Sequence, residues 1–516
     1  MSNKIKLGLF LACVAISLIW SIIFSQRYSI NYTYESLNNG DGSQYIESLD
    51  RLLDTGTLSF FKSNDHGSFA STFFQNEPYS KEVYYAFRTP SFLFIYLPIR
   101  LFFDKENAVL LFLIFQLVVF SLAKLLASLY SQRIFPGKYT FLFSFLFLNL
   151  NPFLHYYLSF VLTESMATSF LFLSIYLFYT RNTIGYNLLT GFLFTQSIWM
   201  RPFLLPVALL FVLPPIWKER RLFLTQQCLI IFIPFTLLFG GWVLRNYFAT
   251  QQFIPIAATM YWEKYENKVY TAERYMARTT GTNAFWWDAG TYSYWLEHPE
   301  DSTSIKEILE KQMDGMDLSK LNFEKLILAK NCYRQSKDSL LPLKNRQENE
   351  VKASDLIRSF VDDYQMAYPK DAKIGSHLRR IGHFCFLDVN FKFGISLSYP
   401  FNVLGIAVEG FIYALLFLLS LVVPLLYFLF FRKRIQIQEV EPVIAFGGIS
   451  VFVMALFVGV FRSIEIREYY ISMFFMSVLS GVFLPIAFRF PWWLKIGLCG
   501  FAFAISIYQI THLIKF

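Results

Sequence analysis

Apolar residues run along this chain in long blocks separated by short charged clusters. The first block, "IKLGLFLACVAISLIWSIIF", has Lys4 and Lys6 at its start and is long enough to enter a bilayer. The bulky "SQRYSINY" that follows offers no small-x-small cleavage site, so a retained anchor is expected rather than a cleaved signal. Further blocks able to cross a ~30 Å hydrocarbon core lie near 107–130, 139–160, 165–180, 184–200, 202–217, 222–244, 402–431, 442–461, 468–488 and 491–512. Pro152, Pro202 and Pro214-Pro215 interrupt the middle ones. The pattern predicts an all-α polytopic membrane protein of about 11 transmembrane helices.

Two polar stretches break this rhythm. "NNGDGSQYIESLDRLLDTGTLSF" (38–60) has the period of an amphipathic helix, introduced by Gly40-Asp41-Gly42. Tyr45, Ile46, Leu49, Leu52 and Leu53 share one face, and Gly56 is placed to stop it. Downstream, "FRTPSFLFIYLPIRLFF" (87–103) is too short to span comfortably. It reads as a helix lying in the interface with Arg88 and Arg100 at headgroup depth, the alternative being a tilted span. The second polar stretch runs from 246 to about 398 and opens on a mixed, aromatic-rich region. Helical stretches follow near 302–313, 320–335, 349–367 and 371–386, so an external, mainly helical α or α+β domain is expected. The chain thus divides into an N-terminal transmembrane module (1–260) whose first loop spans 26–106, a soluble domain (261–400) and C-terminal helices (401–516).

Composition agrees: 55% of residues are hydrophobic, 16% are charged, and sixty are phenylalanine. The net charge of +9 is mostly a topology signal. Lys4/Lys6, Arg133/Lys138, Arg181, Lys218/Arg220/Arg221 and Arg432/Lys433/Arg434 fall on alternate junctions, which puts them and the N-terminus in the cytoplasm and both polar stretches outside. No basic patch interleaved with aromatics argues for nucleic acid. Of five cysteines, Cys13, Cys228 and Cys499 read as packing residues, while Cys332 and Cys385 share the external domain and could pair. No CxxC, HExxH, GxSxG or P-loop pattern occurs, His377 and His383 do not share a helix face, and no metal site is expected.

Candidate chemistry therefore rests on carboxylates and arginines. Asp41 opens the first loop helix, where Gln44 three residues on also makes a capping box. Glu164 lies among apolar turns at the outer end of a hairpin, where a carboxylate needs a partner or a task. Arg201, Arg245, Arg462 and Arg467 fall at outer turns, where headgroup snorkelling is the competing explanation. Two ionisable residues fall within spans: Lys124, expected to snorkel, and Glu409.

At these positions the sequence resembles the GT-C glycosyltransferases, which use polyprenyl-phosphate sugars. They include protein O-mannosyltransferases and the lipid A aminoarabinose and galacturonic acid transferases. "NGDGSQYIESLDRLLDTG" is similar to their first-loop D-x-x-x-Y…L…G stretch, and "FRTPSFLFIYLPIRLFF" to R-x-P…Y-P-x-x-x-L-F. "LSFVLTES" resembles L-x-(S/T)-E, "GFLFTQSIWMRPFLL" a G…L-x-R-P segment, and "GGWVLRNYFATQQFIPIA" P-W-x-x-R-N-y-x-x-x-x-x-f-i-P. The resemblance covers about residues 1–260 and returns at "REYYISMFFMSVLSGV". Gly42 stands where many members carry a second acid, and Gly241 replaces a proline. The resemblance implies Asp41 and Glu164 as catalytic carboxylates. It implies Arg88, Arg201, Arg245, Arg467 and Tyr45 as donor-phosphate and substrate contacts, with Arg245 and Arg467 favoured for the phosphate. Partners would be a polyprenyl-phosphate-sugar donor, a lipid, glycan or protein acceptor, and membrane lipids, with no cofactor. The location implied is a bacterial cytoplasmic membrane. An O-antigen polymerase or ligase is the alternative enzyme, and a transporter or flippase, expected to show two similar halves, is the alternative of another class.

Overall fold

The computed structural model describes residues 2–27, 41–59, 89–207, 226–255, 268–280, 318–338, 340–376, 411–432, 435–456 and 469–514. Every regular element among them is a helix. Five helices are long and apolar enough to cross a membrane: α1 (Asn3–Arg27), α4 (Lys105–Ile134), α9 (Gln226–Thr250), α13 (Phe411–Phe431) and α15 (Tyr470–Ala487). A sixth is a bent pair, α5 (Thr140–Leu150) and α6 with its following turn (Phe153–Ser159). The described residues thus carry five or six such helices against the expected eleven or so.

Several predicted blocks depart from straight, full-length helices for physical reasons. The block at 139–160 bends by 55° because Pro152 lacks an N–H and forces Asn151 to an extended ψ of 106°. Helices α7 (Glu164–Thr180) and α8 (Ile184–Met200) have only 17 residues each. At 1.5 Å per residue, 17 residues reach about 26 Å. Of block 202–217 only 202–207 is described, and Pro202–Leu204 is a single 3₁₀ turn.

Helix α15 is the hub and is almost wholly buried, whereas α1 and α9 turn most of their surface outward. Close packing relies on small residues. A Cβ on Gly481 of α15 would collide with Ser144 of α5, and one on Gly191 of α8 with the Ile231 carbonyl of α9. At one end of the bundle Arg133 pairs with Glu439, and Gln438 N–H donates to Ile134 O at 3.0 Å. The C-terminal end of α4 therefore meets the residues just before the helix that starts at Val440. Helix α14 (Val440–Ala455) packs on α15, and α16 (Trp492–Ile514) ends the described chain. Cys13 and Cys228 are buried as expected, but Cys499 is exposed on α16, so its expected packing role does not hold.

The second polar stretch has its own core. Helices α10 (Lys268–Thr280), α11 (Glu324–Lys337) and α12 (Leu343–Ala367) bury Val269, Met276, Leu326, Tyr333, Ile357 and Phe360 together. Where a mixed region was expected, 268–280 is helical, its apolar residues recurring at helical spacing. The stretch near 302–313, the continuation past 376 and the Cys332–Cys385 pairing fall outside the described residues.

Candidate functional site

Helix α2 (Asp41–Thr55) begins at Asp41 and ends where Gly56 takes a φ of +71°, its N–H closing on Leu52 O at 3.0 Å. Of its expected apolar face Tyr45, Ile46 and Leu49 are buried, and Leu52 and Leu53 are half-buried. The Tyr45 ring lies 5.4 Å from Phe92, which in turn lies 4.6 Å from Phe112 of α4.

The same face carries a carboxylate that periodicity alone did not single out. Asp50 is 2% exposed and accepts from Arg100 Nε at 2.8 Å and Tyr96 OH at 3.3 Å. Arg100, on the short helix α3 (Tyr96–Arg100), thus pairs within the protein instead of sitting simply at headgroup depth. Burial, with the Asp50 charge beside it, pushes the Tyr96 phenol well above its usual range. Phe94, Leu101, Phe102 and Phe103 around α3 remain exposed, which suits a segment lying in the interface. Asp104 caps α4 by accepting from Asn107 N at 2.9 Å, which holds its carboxyl below the usual range.

Segment 89–92 ties α2 to the end of α8. Pro202 ends α8 and drives Arg201 out of helical geometry (φ −141°, ψ 89°). The last-turn carbonyl of Trp199 then needs another donor. It receives Ser91 Oγ at 2.9 Å and Thr89 Oγ1. Just beyond, Arg201 forms an ion pair with Glu164, the first residue of α7, which is 1% exposed. Two of the residues singled out in the sequence are therefore direct partners.

Arg245, near the end of α9, is half-buried. It donates to Leu58 O, just past α2, and to Asn246 Oδ1 at 3.1 Å, and it lies 5.1 Å over the Trp242 ring. The start of α2, segment 89–92, Glu164, Arg201 and Arg245 accordingly share one end of the bundle. It is the N-terminal end of α4, opposite the Arg133–Glu439 junction. Arg88, Arg462, Arg467 and Glu409 lie outside the described residues.

Lys124 does not snorkel. It is fully buried in α4 and bonds to Ser17 Oγ, Asn149 Oδ1 and His155 Nε2, each at 2.8 Å. Nothing in the hydrophobic pattern marks Ser17, Asn149 and His155 as its partners, because they come from three separate segments. Among the described residues, no group of three or more His, Cys, Asp or Glu side chains is placed to hold a metal ion. An open cleft of about 900 Å³ lies elsewhere, between α10 and α12; Lys268, Lys344 and Lys352 are matched there by Glu348, Glu350 and Asp355, so its charge favours no anion.

Compared with models of known protein families and with the sequences of characterised proteins, the chain matches none.

Proposed function

We propose that this chain is a GT-C-type membrane glycosyltransferase. In this reading it crosses the bilayer about eleven times, with a cytoplasmic N-terminus and with the α2 loop and the α10–α12 unit outside. It moves a sugar from a polyprenyl-phosphate carrier to a lipid, glycan or protein acceptor at the outer face. The observation that carries the reading is the convergence of motif-bearing segments far apart in sequence: the α2 stretch, 89–100, Glu164, Arg201 and Arg245.

The chemistry fits these residue types. An acceptor hydroxyl or amine attacks the anomeric carbon, the bond from that carbon to the phosphate oxygen breaks, and the electron pair leaves with the polyprenyl phosphate. The acceptor's proton goes to Asp41 as general base, and the sugar passes through an oxocarbenium-like transition state. Cationic donors stabilise the departing phosphate, for which the arginine fork is suited. Arg201, Arg245 and, from the resemblance, Arg88 and Arg467 are the candidates. Glu164, paired with Arg201, acts here by orienting that guanidinium rather than by taking a proton. Tyr45 seats the first turns of α2 on Phe92.

The experiment is mass spectrometry of lipid-linked glycans, lipopolysaccharide and exported proteins from a deletion strain and its parent. A sugar missing from one of these pools supports the proposal and names the acceptor class. Identical profiles in all three contradict it.

A further inference from the structure

Ionisable side chains inside a membrane bundle are costly and tend to be functional, and Lys124 has no role in the sugar-transfer scheme. Its surroundings favour the ammonium form. Ser17 Oγ donates its proton to Cys13 O at 2.8 Å, so it presents a lone pair to Lys124. Asn149 Nδ2 donates to Phe145 O at 2.8 Å, which orients Oδ1 toward the amine. His155 Nδ1 lies 2.8 Å from Asn151 O, and a carbonyl only accepts, so the proton is on Nδ1 and Nε2 is an acceptor. With the Ser17 proton directed to Cys13 O, the three acceptors take three N–H bonds, the number that the ammonium form supplies.

We infer that Lys124 is a protonated positioning residue of the candidate site, an inference that rests on the function proposed above for what is positioned. Its three bonds clamp α1, the end of α5 and the start of α6 around the break at Asn151-Pro152. The cation also stands at the C-terminal end of α5, where the helix dipole favours positive charge. Asn151 Oδ1 reinforces the break by accepting from Phe153 N and Tyr413 OH, each at 3.1 Å.

From this clamp the chain runs through further fixed points to Glu164. Leu154 O accepts from Tyr470 OH at 2.5 Å. Ser159 Oγ meets Ser21 Oγ at 3.1 Å, and Gln116 Nε2 donates to Tyr157 O at 3.2 Å and to Phe160 O at 3.3 Å. Releasing the first point frees the connection whose other end presents Glu164 to Arg201.

The test is hydrogen–deuterium exchange on the full-length protein in nanodiscs, with sugar transfer measured in parallel by complementation of the deletion strain. Lys124→Met should raise exchange across 149–164 about tenfold through local opening, with α12 unchanged, and should lower transfer. His155→Gln keeps an acceptor near the Nε2 position and His155→Leu does not, while both lose the bond to Asn151. Glutamine should therefore rescue exchange and transfer relative to leucine, which separates the clamp from general destabilisation. Unchanged exchange in Lys124→Met, or equal behaviour of the two His155 variants, overturns the clamp. Raised exchange with normal transfer overturns its role in positioning the site. If Lys124→Met fails to insert, the His155 pair decides. If the native gene changes no glycan, the glycosyltransferase reading falls and exchange alone decides the clamp.

Discussion

Glu164 and Arg201 lie 37 residues apart and form one ion pair between the first residue of α7 and the residue just beyond α8. The carboxylate is almost wholly buried and the guanidinium side chain is 12% exposed. Removing one partner from so buried a pair typically costs about 3–5 kcal/mol, whereas replacing both with apolar residues is often neutral.

Arg201→Leu should therefore lower the thermal midpoint and the yield of inserted protein. Glu164→Leu combined with Arg201→Leu should recover most of that stability yet leave sugar transfer lost. Thermal unfolding and complementation measured on the same variants check this. Transfer restored along with stability would make the pair purely structural.

The Arg245 guanidinium bridges Leu58 O and Asn246 Oδ1 while lying over Trp242, an arrangement that needs a planar fork. Arg245→Lys keeps the charge and loses that geometry. It should speed limited proteolysis just after α2 and weaken transfer. An arginine that only snorkels to headgroups would tolerate lysine, so native-like cleavage and transfer in Arg245→Lys would favour snorkelling.

Much of this arrangement was legible in the sequence, for identifiable reasons. The bounds of α2 follow from its apolar spacing and from Gly56, signals local to the segment. Glu164 stood out because a carboxylate among apolar turns needs a partner, but which arginine it takes depends on how the α7–α8 hairpin closes. Asp50 looked like an ordinary polar residue of an amphipathic helix, since its partner Arg100 is fifty residues away. Lys124 reads as a snorkelling side chain in the sequence because its three acceptors converge only once Asn151-Pro152 breaks the α5–α6 block. The form of each apolar block was not legible, because hydropathy gives the same weight to a straight crossing, a bent pair and a short hairpin helix.

The alternating basic junctions predict an orientation that labelling can check. Single cysteines introduced at residues 60 and 300 should react with an impermeant maleimide added to intact cells, and one at residue 435 only after permeabilisation. Labelling of residue 300 only in permeabilised cells would invert the arrangement and move the α10–α12 unit inside.

Asp41 is where helix capping and catalysis give different outcomes. Asparagine keeps a side-chain oxygen able to cap α2 but cannot accept the acceptor's proton. The decisive measurement is the mass spectrum of the glycan pool altered in the deletion strain, compared after complementation with the native gene and with Asp41→Asn at matched membrane levels. The expected result is restoration of the sugar by the native gene and its near-complete absence with Asp41→Asn, the variant being inserted and as thermally stable as the native protein. Equal restoration by both would contradict Asp41 as the general base and reduce it to the start of a helix.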